Sequence, residues 1–186
     1  MFAKPIEAWH FVGDTLRDGR PIPADGEWLV HTGPVEMCST GLHASRRPSH
    51  ALQYAPGPVL CRVECDGVIE EQDDKLVCRR RRIIQRADIT KTLRYFARMQ
   101  ALSVIHLYDD PPDVVLDYLM TGDESIRDAA RAAARGATKT AAGAAAWAAT
   151  WADAWAAWAA SWAATGAAAQ ADFDALVYEQ FGEPAR

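Results

Sequence analysis

The chain has 186 residues, 49% of them hydrophobic, and a net charge of -5 at neutral pH. That length supports one good-sized core or two small ones, and the acidic balance speaks against a general nucleic-acid binder. No long run of large apolar residues occurs, the start Met1-Phe2-Ala3-Lys4-Pro5 lacks a signal-peptide pattern, and Cys38, Cys61, Cys65 and Cys78 form no CxxC pair. A cytoplasmic protein with reduced thiols and no membrane span is therefore expected.

Residues 1–86 read as a small β-rich domain. Residues 7–12 form a short strand closed by Gly13-Asp14, followed by a loop of turn formers (Asp18-Gly19, Pro21, Pro23, Asp25-Gly26). Residues 27–32 form a second strand, stopped by Gly33-Pro34. Residues 37–45 read as irregular, with Gly41 at a position of special backbone geometry. A short helix over residues 50–54 ends at Pro56-Gly57-Pro58. Residues 59–65 alternate apolar and polar, as in a half-buried strand, and Asp66-Gly67 reads as a turn. Residues 68–71 and 76–78 continue the sheet. The arginine-rich stretch 79–84 reads as an edge strand, because long basic side chains blunt edges.

Residues 87–186 read as an alanine-rich helical domain, so the fold class expected is α+β. A helix over residues 88–105 sets Leu93, Phe96, Ala97 and Val104 on one side. Pro111-Pro112 stops it, and a second helix starts at residue 113. Thr121-Gly122-Asp123-Glu124-Ser125 reads as a break and a new N-cap. The segment 129–171 is almost all alanine, the best helix former, with Gly136 and Gly143 dividing it. Trp147, Trp151, Trp155, Trp158 and Trp162 step by four, four, three and four, which places every indole on one helix face. Residues 171–181 close this domain with Phe173, Leu176, Val177, Tyr178 and Phe181.

Two stretches carry resemblances. Cys38, the run Gly41-Leu42-His43-Ala44-Ser45, Pro48, Tyr54, the strand ending Val63-Glu64, and Gly67 together resemble a domain of uncharacterised function found in phages and bacteria. Where that pattern carries a second cysteine, this chain has Ser45. The second half resembles alanine-rich helical tails that accompany this domain, and an immunity-protein helical family, through residues 101–105, 115–119 and 121–125. These resemblances imply a phage or mobile-element accessory protein of the host cytoplasm, with counter-defence as one role. His31-Thr32-Gly33, the Gly41 segment and the helix ending at Tyr54 also resemble the NAD-binding order of ADP-ribosyltransferases. That likeness implies that His31 and Tyr54 hold the nicotinamide riboside of NAD and that Glu64 or Glu70 addresses the ribose.

The remaining constellations are read from residue chemistry. Cys61 and Cys65 share a strand face but sit about 13 Å apart along it, too far to share an ion with Cys38 and His43, so no metal is expected. Arg79, Arg80, Arg81, Arg82 and Arg86 concentrate positive charge in an acidic chain, and guanidinium forks suit phosphates, so a nucleotide or phosphate ligand is expected there. The tryptophan stripe suits a protein partner or self-association as a homo-oligomer. The expected function is a non-enzymatic binding module without a cofactor. The alternatives are an ADP-ribosyltransferase-like enzyme and an assembly protein that oligomerises through its helices.

Overall fold

The computed structural model describes residues 4–135, 141–150 and 166–183. Strands come first and helices follow, an α+β order. The chain divides into two compact units, Met1–Ile89 with Gln170–Arg186, and Thr90–Ala169.

The first unit is built on β1 (Ile6–Val12), β2 (Trp28–Val30), β3 (Leu42–Ala44), β4 (Val59–Glu71) and β5 (Leu76–Asp88), with a short helix α1 (Pro48–Leu52) between β3 and β4. All the pairings are antiparallel: β1 with β4, β4 with β5, and both β2 and β3 with β5. Ser45, just after β3, exchanges two backbone hydrogen bonds with Trp9 of β1, at 2.7 and 2.9 Å. The pairings therefore run β1–β4–β5–β3, and one bridge at Trp9–Ser45 links β3 back to β1. Ala8, Val12, Ala44, Cys61, Val63, Cys65, Leu76, Cys78 and Ile83 form one buried cluster.

Two local expectations are corrected by this topology. Asp66-Gly67 is not a turn: β4 runs through it, with Asp66 paired to Arg80 and Val68 to Cys78. Gly67 adopts φ +63 within the strand, and the chain reverses later, where the Gln72 amide donates to the Lys75 carbonyl at 2.8 Å. Residues 79–84 are not an edge either, since β5 has β4 on one side and β2 and β3 on the other. Arginine is tolerated in this central strand because its neighbours bring the compensating groups described below.

The stretch 37–45 ends as strand β3 and the bridge from Ser45 to Trp9. Gly41 sits at φ +105, and a Cβ there would meet Val77 Cγ2 at 2.7 Å and Val35 Cγ1 at 2.9 Å, so only glycine fits. His43 Nε2 accepts from the Cys38 amide at 3.0 Å, and the ring also bonds the Gly41 backbone. Cys38 itself is held at φ +65, an uncommon conformation for a residue with a Cβ. His43 thus ties Cys38 and Gly41 of the loop together.

The second unit contains α2 (Thr90–Val104), α3 (Asp113–Thr121), α4 (Arg127–Ala134) and α5 (Ala141–Ala149). Ala97, Ala101, Ala130, Ala134, Ala146 and Ala149 pack with Val115, Tyr118 and Leu119 into its core. Tyr118 fills the space that small residues leave, and its hydroxyl donates to the Ala149 carbonyl at 3.3 Å. Glu124 pairs with Arg94 at 2.9 Å and Arg127 at 2.8 Å, while Asp123 Oδ1 accepts from the Ser125 amide at 2.8 Å. The expected N-cap at 121–125 is therefore an Asx turn ahead of the helix, and α4 begins at Arg127 after Ile126. Gly143 lies inside α5 and does not divide it. Trp147 lies half-buried against this unit's own core. Trp151, Trp155, Trp158 and Trp162 lie outside the described residues. Among the described residues no helix is long and apolar enough to cross a membrane.

The last helix, α6 (Ala167–Phe181), packs in the first unit from Gln170 onward. Fully buried Trp9 meets Phe181 edge-on at 5.4 Å and Tyr178 at 6.0 Å between ring centroids. Asp174 reaches the start of α1: its carboxylate accepts from the Ser49 amide at 2.7 Å and from Arg47 at 2.6 Å. Arg62 donates to Glu7 at 2.6 Å and to the Phe181 and Glu183 carbonyls at 3.3 and 2.9 Å. Local sequence placed this helix with the alanine-rich half. Its aromatic spacing does fit a buried face, but nothing local says against what.

Candidate functional site

The arginines of β5 are sorted by strand register. Residues directly opposite each other share a face. Arg82 faces Glu64 and Arg80 faces Asp66, and both pairs are ion pairs, at 2.6 and 3.1 Å. Their guanidinium carbons also lie 4.5 Å (Arg80) and 4.8 Å (Arg82) from the ring centroid of Trp28 on β2. Arg86 binds Asp25 at 2.5 Å and the Pro23 carbonyl at 2.8 Å, and Arg79 donates to the Gly33 carbonyl at 3.1 Å. Three of the five expected phosphate ligands thus hold carboxylates of the chain, and the exposed Arg79 holds a carbonyl.

Arg81 differs. It lies opposite Cys65, on the face shared by Val63 and Ile83, and only 7% of it is exposed. One of its guanidinium nitrogens donates to the His43 carbonyl. A guanidinium has five N–H groups, and among the described residues no carboxylate forms an ion pair with this one. Cys65, Cys78 and Cys61 are the groups that favour its charge, while burial, the larger influence, pulls its proton affinity down. Thiols are weak acceptors, and burial pushes the Cys61 thiol up to about 11, so it stays protonated at neutral pH. Cys65 and Cys78 interact directly: Cys65 holds its proton against Cys78, and Cys78 is pulled down by that bond.

Two histidines share this interior. His10, on β1, is half-buried as a residue and its imidazole lies deep in the protein. Burial first, then Arg81, then His43 hold it well below the ordinary imidazole value. His43 is lowered by burial first and Arg81 second, against the bond to Gly41. Both are neutral at physiological pH, so Arg81 supplies the positive charge of this cluster. A cleft opens beside it, walled by Val12, Leu16, Ile22, Leu29 and Ile83, with Glu27 at its rim. Its enclosed space is about 10 Å³, room for about one water.

The residues of the NAD-like order each have a partner within the strand unit. His31 Nε2 bonds the Pro34 carbonyl at 2.9 Å. The Tyr54 hydroxyl donates to Asp74 and accepts from Lys75 at 3.4 Å, at the tip of the β4–β5 hairpin. Glu64 is spent on Arg82, and it lies seven positions along β4 from Glu71 at the tip, roughly 23 Å at 3.3 Å per residue. Glu70 accepts from Gln72 at 3.0 Å. No hydrogen bond or ion pair joins any two of these four residues. Among the described residues no group of three His, Cys, Asp or Glu is placed to hold a metal ion.

The sequence offered Arg81 only as one of a run. Period two says that alternate arginines differ in face, but not which face is inside. The signal that separates them is the cysteine and valine alternation of residues 61–65, whose partners on β5 must point inward too. His10 carried no signal beyond its place in an apolar strand.

No curated protein and no solved structure matches this chain. Residues 6–95, which include all five strands and the start of α2, match the family model described as a domain of unknown function (DUF7666).

Proposed function

We propose that the strand unit is a non-enzymatic binding module and that its ligand is anionic, held at Arg81. The observation that carries this reading is the mismatch in charge compensation. Arg46, Arg47, Arg62, Arg80, Arg82 and Arg86 each hold a carboxylate of the chain, whereas Arg81, the arginine the fold buries behind the cleft, holds one carbonyl. Leaving a buried charge without a counter-ion costs on the order of several kcal/mol. A bound anion offsets that cost by binding the folded form alone.

The test is a melting experiment at fixed ionic strength in which chloride is exchanged for phosphate or acetate. The unmodified protein is expected to melt higher in the oxyanions, and Arg81→Met to show no such difference. Equal anion responses in the two proteins would remove Arg81 from the reading. Label transfer from NAD to any acceptor, lost in His31→Ala, would return the enzyme.

A further inference from the structure

The cleft beside Arg81 restricts which anion fits. Its walls are the aliphatic side chains of Val12, Leu16, Ile22, Leu29 and Ile83, and its rim carries the carboxylate of Glu27. A phosphoryl group near neutral pH carries close to two negative charges and needs many donors to replace its water. Here Arg81 is the cation among the lining residues, the aliphatic walls offer no donors, and Glu27 repels the excess charge. A singly charged head with an apolar body matches on every count. Its carboxylate fits the planar fork of Arg81, its net charge equals that of the one cation, and its body replaces water against aliphatic walls.

We infer that the cleft takes a small monocarboxylic acid with an aliphatic or aromatic body, the carboxylate lying on Arg81 and the body between Leu16, Ile22 and Leu29. This rests on the reading of Arg81 as an anion site and adds the class of ligand. The enclosed space holds about one water, so entry requires the outer wall to swing away. That wall is the loop between β1 and β2, and its bonding permits the motion. The Leu16 amide bonds the Arg20 carbonyl at 2.8 Å, the Gly19 amide bonds the Leu16 carbonyl at 2.9 Å, and Arg20 binds Asp18 at 2.7 Å. Residues 14–20 thus hydrogen-bond within the loop. The tethers to the sheet begin at Ile22, which packs on the buried cluster, and continue at Gly26 to the Ile83 carbonyl at 2.7 Å and at Arg86 to Pro23 and Asp25. The opening is therefore assigned to the segment that carries Leu16, with Ile22 and the residues after it staying in place.

The experiment is calorimetric titration of the full chain at pH 7 with acetate, butyrate and benzoate, with butyramide and benzamide as uncharged counterparts, and with inorganic phosphate. Butyrate and benzoate are expected to bind more tightly than acetate, the amides at least about tenfold more weakly than their acids, and phosphate more weakly than butyrate. Arg81→Lys, which keeps the charge and loses the fork, is expected to weaken butyrate by at least about tenfold. Because acid and amide are compared on the unmodified protein, the result stands even if a variant folds poorly. Equal affinity for acid and amide overturns the inference, since the cleft would then read shape without charge. Phosphate binding that depends on Arg81, with no butyrate binding, overturns the carboxylate class and leaves the anion site standing. Silence from every anion overturns both.

Discussion

At Arg81 the cost of desolvating a charge meets the alternation of a strand. Alternation puts Arg79 and Arg81 on one face of β5; Arg81 lies opposite Cys65 and is buried, whereas Arg79 lies past Cys65 and is exposed. The two neighbouring histidines extend that electrostatic account to pH. His10 and His43 both hold protons more weakly when folded than the ordinary imidazole value of about 6.5. Below that value the unfolded chain takes up protons that the folded chain refuses. Stability is therefore complete above about pH 6.5 and falls as the pH drops from there towards the folded values, His10 alone contributing a slope of up to about 1.4 kcal/mol per pH unit. Urea denaturation at a series of pH values checks this: the excess slope below pH 6.5 is expected to shrink in His10→Gln. Gly41 gives a second residue-scale prediction. Alanine there adopts a left-handed backbone and presses on Val77 and Val35, so Gly41→Ala is expected to lose about 2 kcal/mol or more. An unchanged denaturation midpoint would show that the β3 loop relaxes without cost.

At the scale of elements, α1 and α6 depend on each other. A five-residue helix cannot stand alone, and Asp174 of α6 supplies the acceptor for its Ser49 amide and a partner for Arg47. Asp174→Ala leaves that amide and Arg47 without their partner and is expected to cost about 1–3 kcal/mol, with faster amide exchange in both α1 and α6. Exchange that speeds up in α6 alone would mean that α1 holds its shape by other contacts. This dependence marks the limit of what was legible in the chain. The alternation over residues 59–65 and the helix over 88–105 were readable because local period and burial agree there. The Asp66-Gly67 pair misled, because a strand with partners on both sides of it absorbs a glycine that an isolated hairpin would turn at. The bridge from Ser45 to Trp9 and the docking of α6 onto Trp9 were not readable. Each joins residues far apart in sequence, and neither partner carries a local signature of the other.

For the whole molecule, the chain leaves the strand unit at Thr90 and returns to it at Gln170. The helical unit is thus an excursion between two stretches of one unit. A chain shortened to residues 1–165 is expected to uncover Trp9 and lower the melting temperature of the strand unit, because the aromatic cover of Tyr178 and Phe181 is lost. Protection of β1 and β4 amides that survives the truncation would contradict that. For the tryptophan stripe, sedimentation of the full chain and of Trp155→Ala decides whether those indoles join copies: a mass that falls in the variant supports self-association, and equal monomer masses exclude it.

The central claim is that Arg81 is a charge the fold holds for a ligand rather than for itself. The most direct measurement is the unfolding free energy of Arg81→Met in chloride buffer, with no oxyanion present. A side chain of similar length without the charge removes the desolvation penalty and gives up one hydrogen bond, so the variant is expected to be as stable as the unmodified protein, or more stable by about 1–2 kcal/mol. A loss of about 3 kcal/mol or more would mean that Arg81 is already satisfied within the strand unit, and the site would lose its reason to bind.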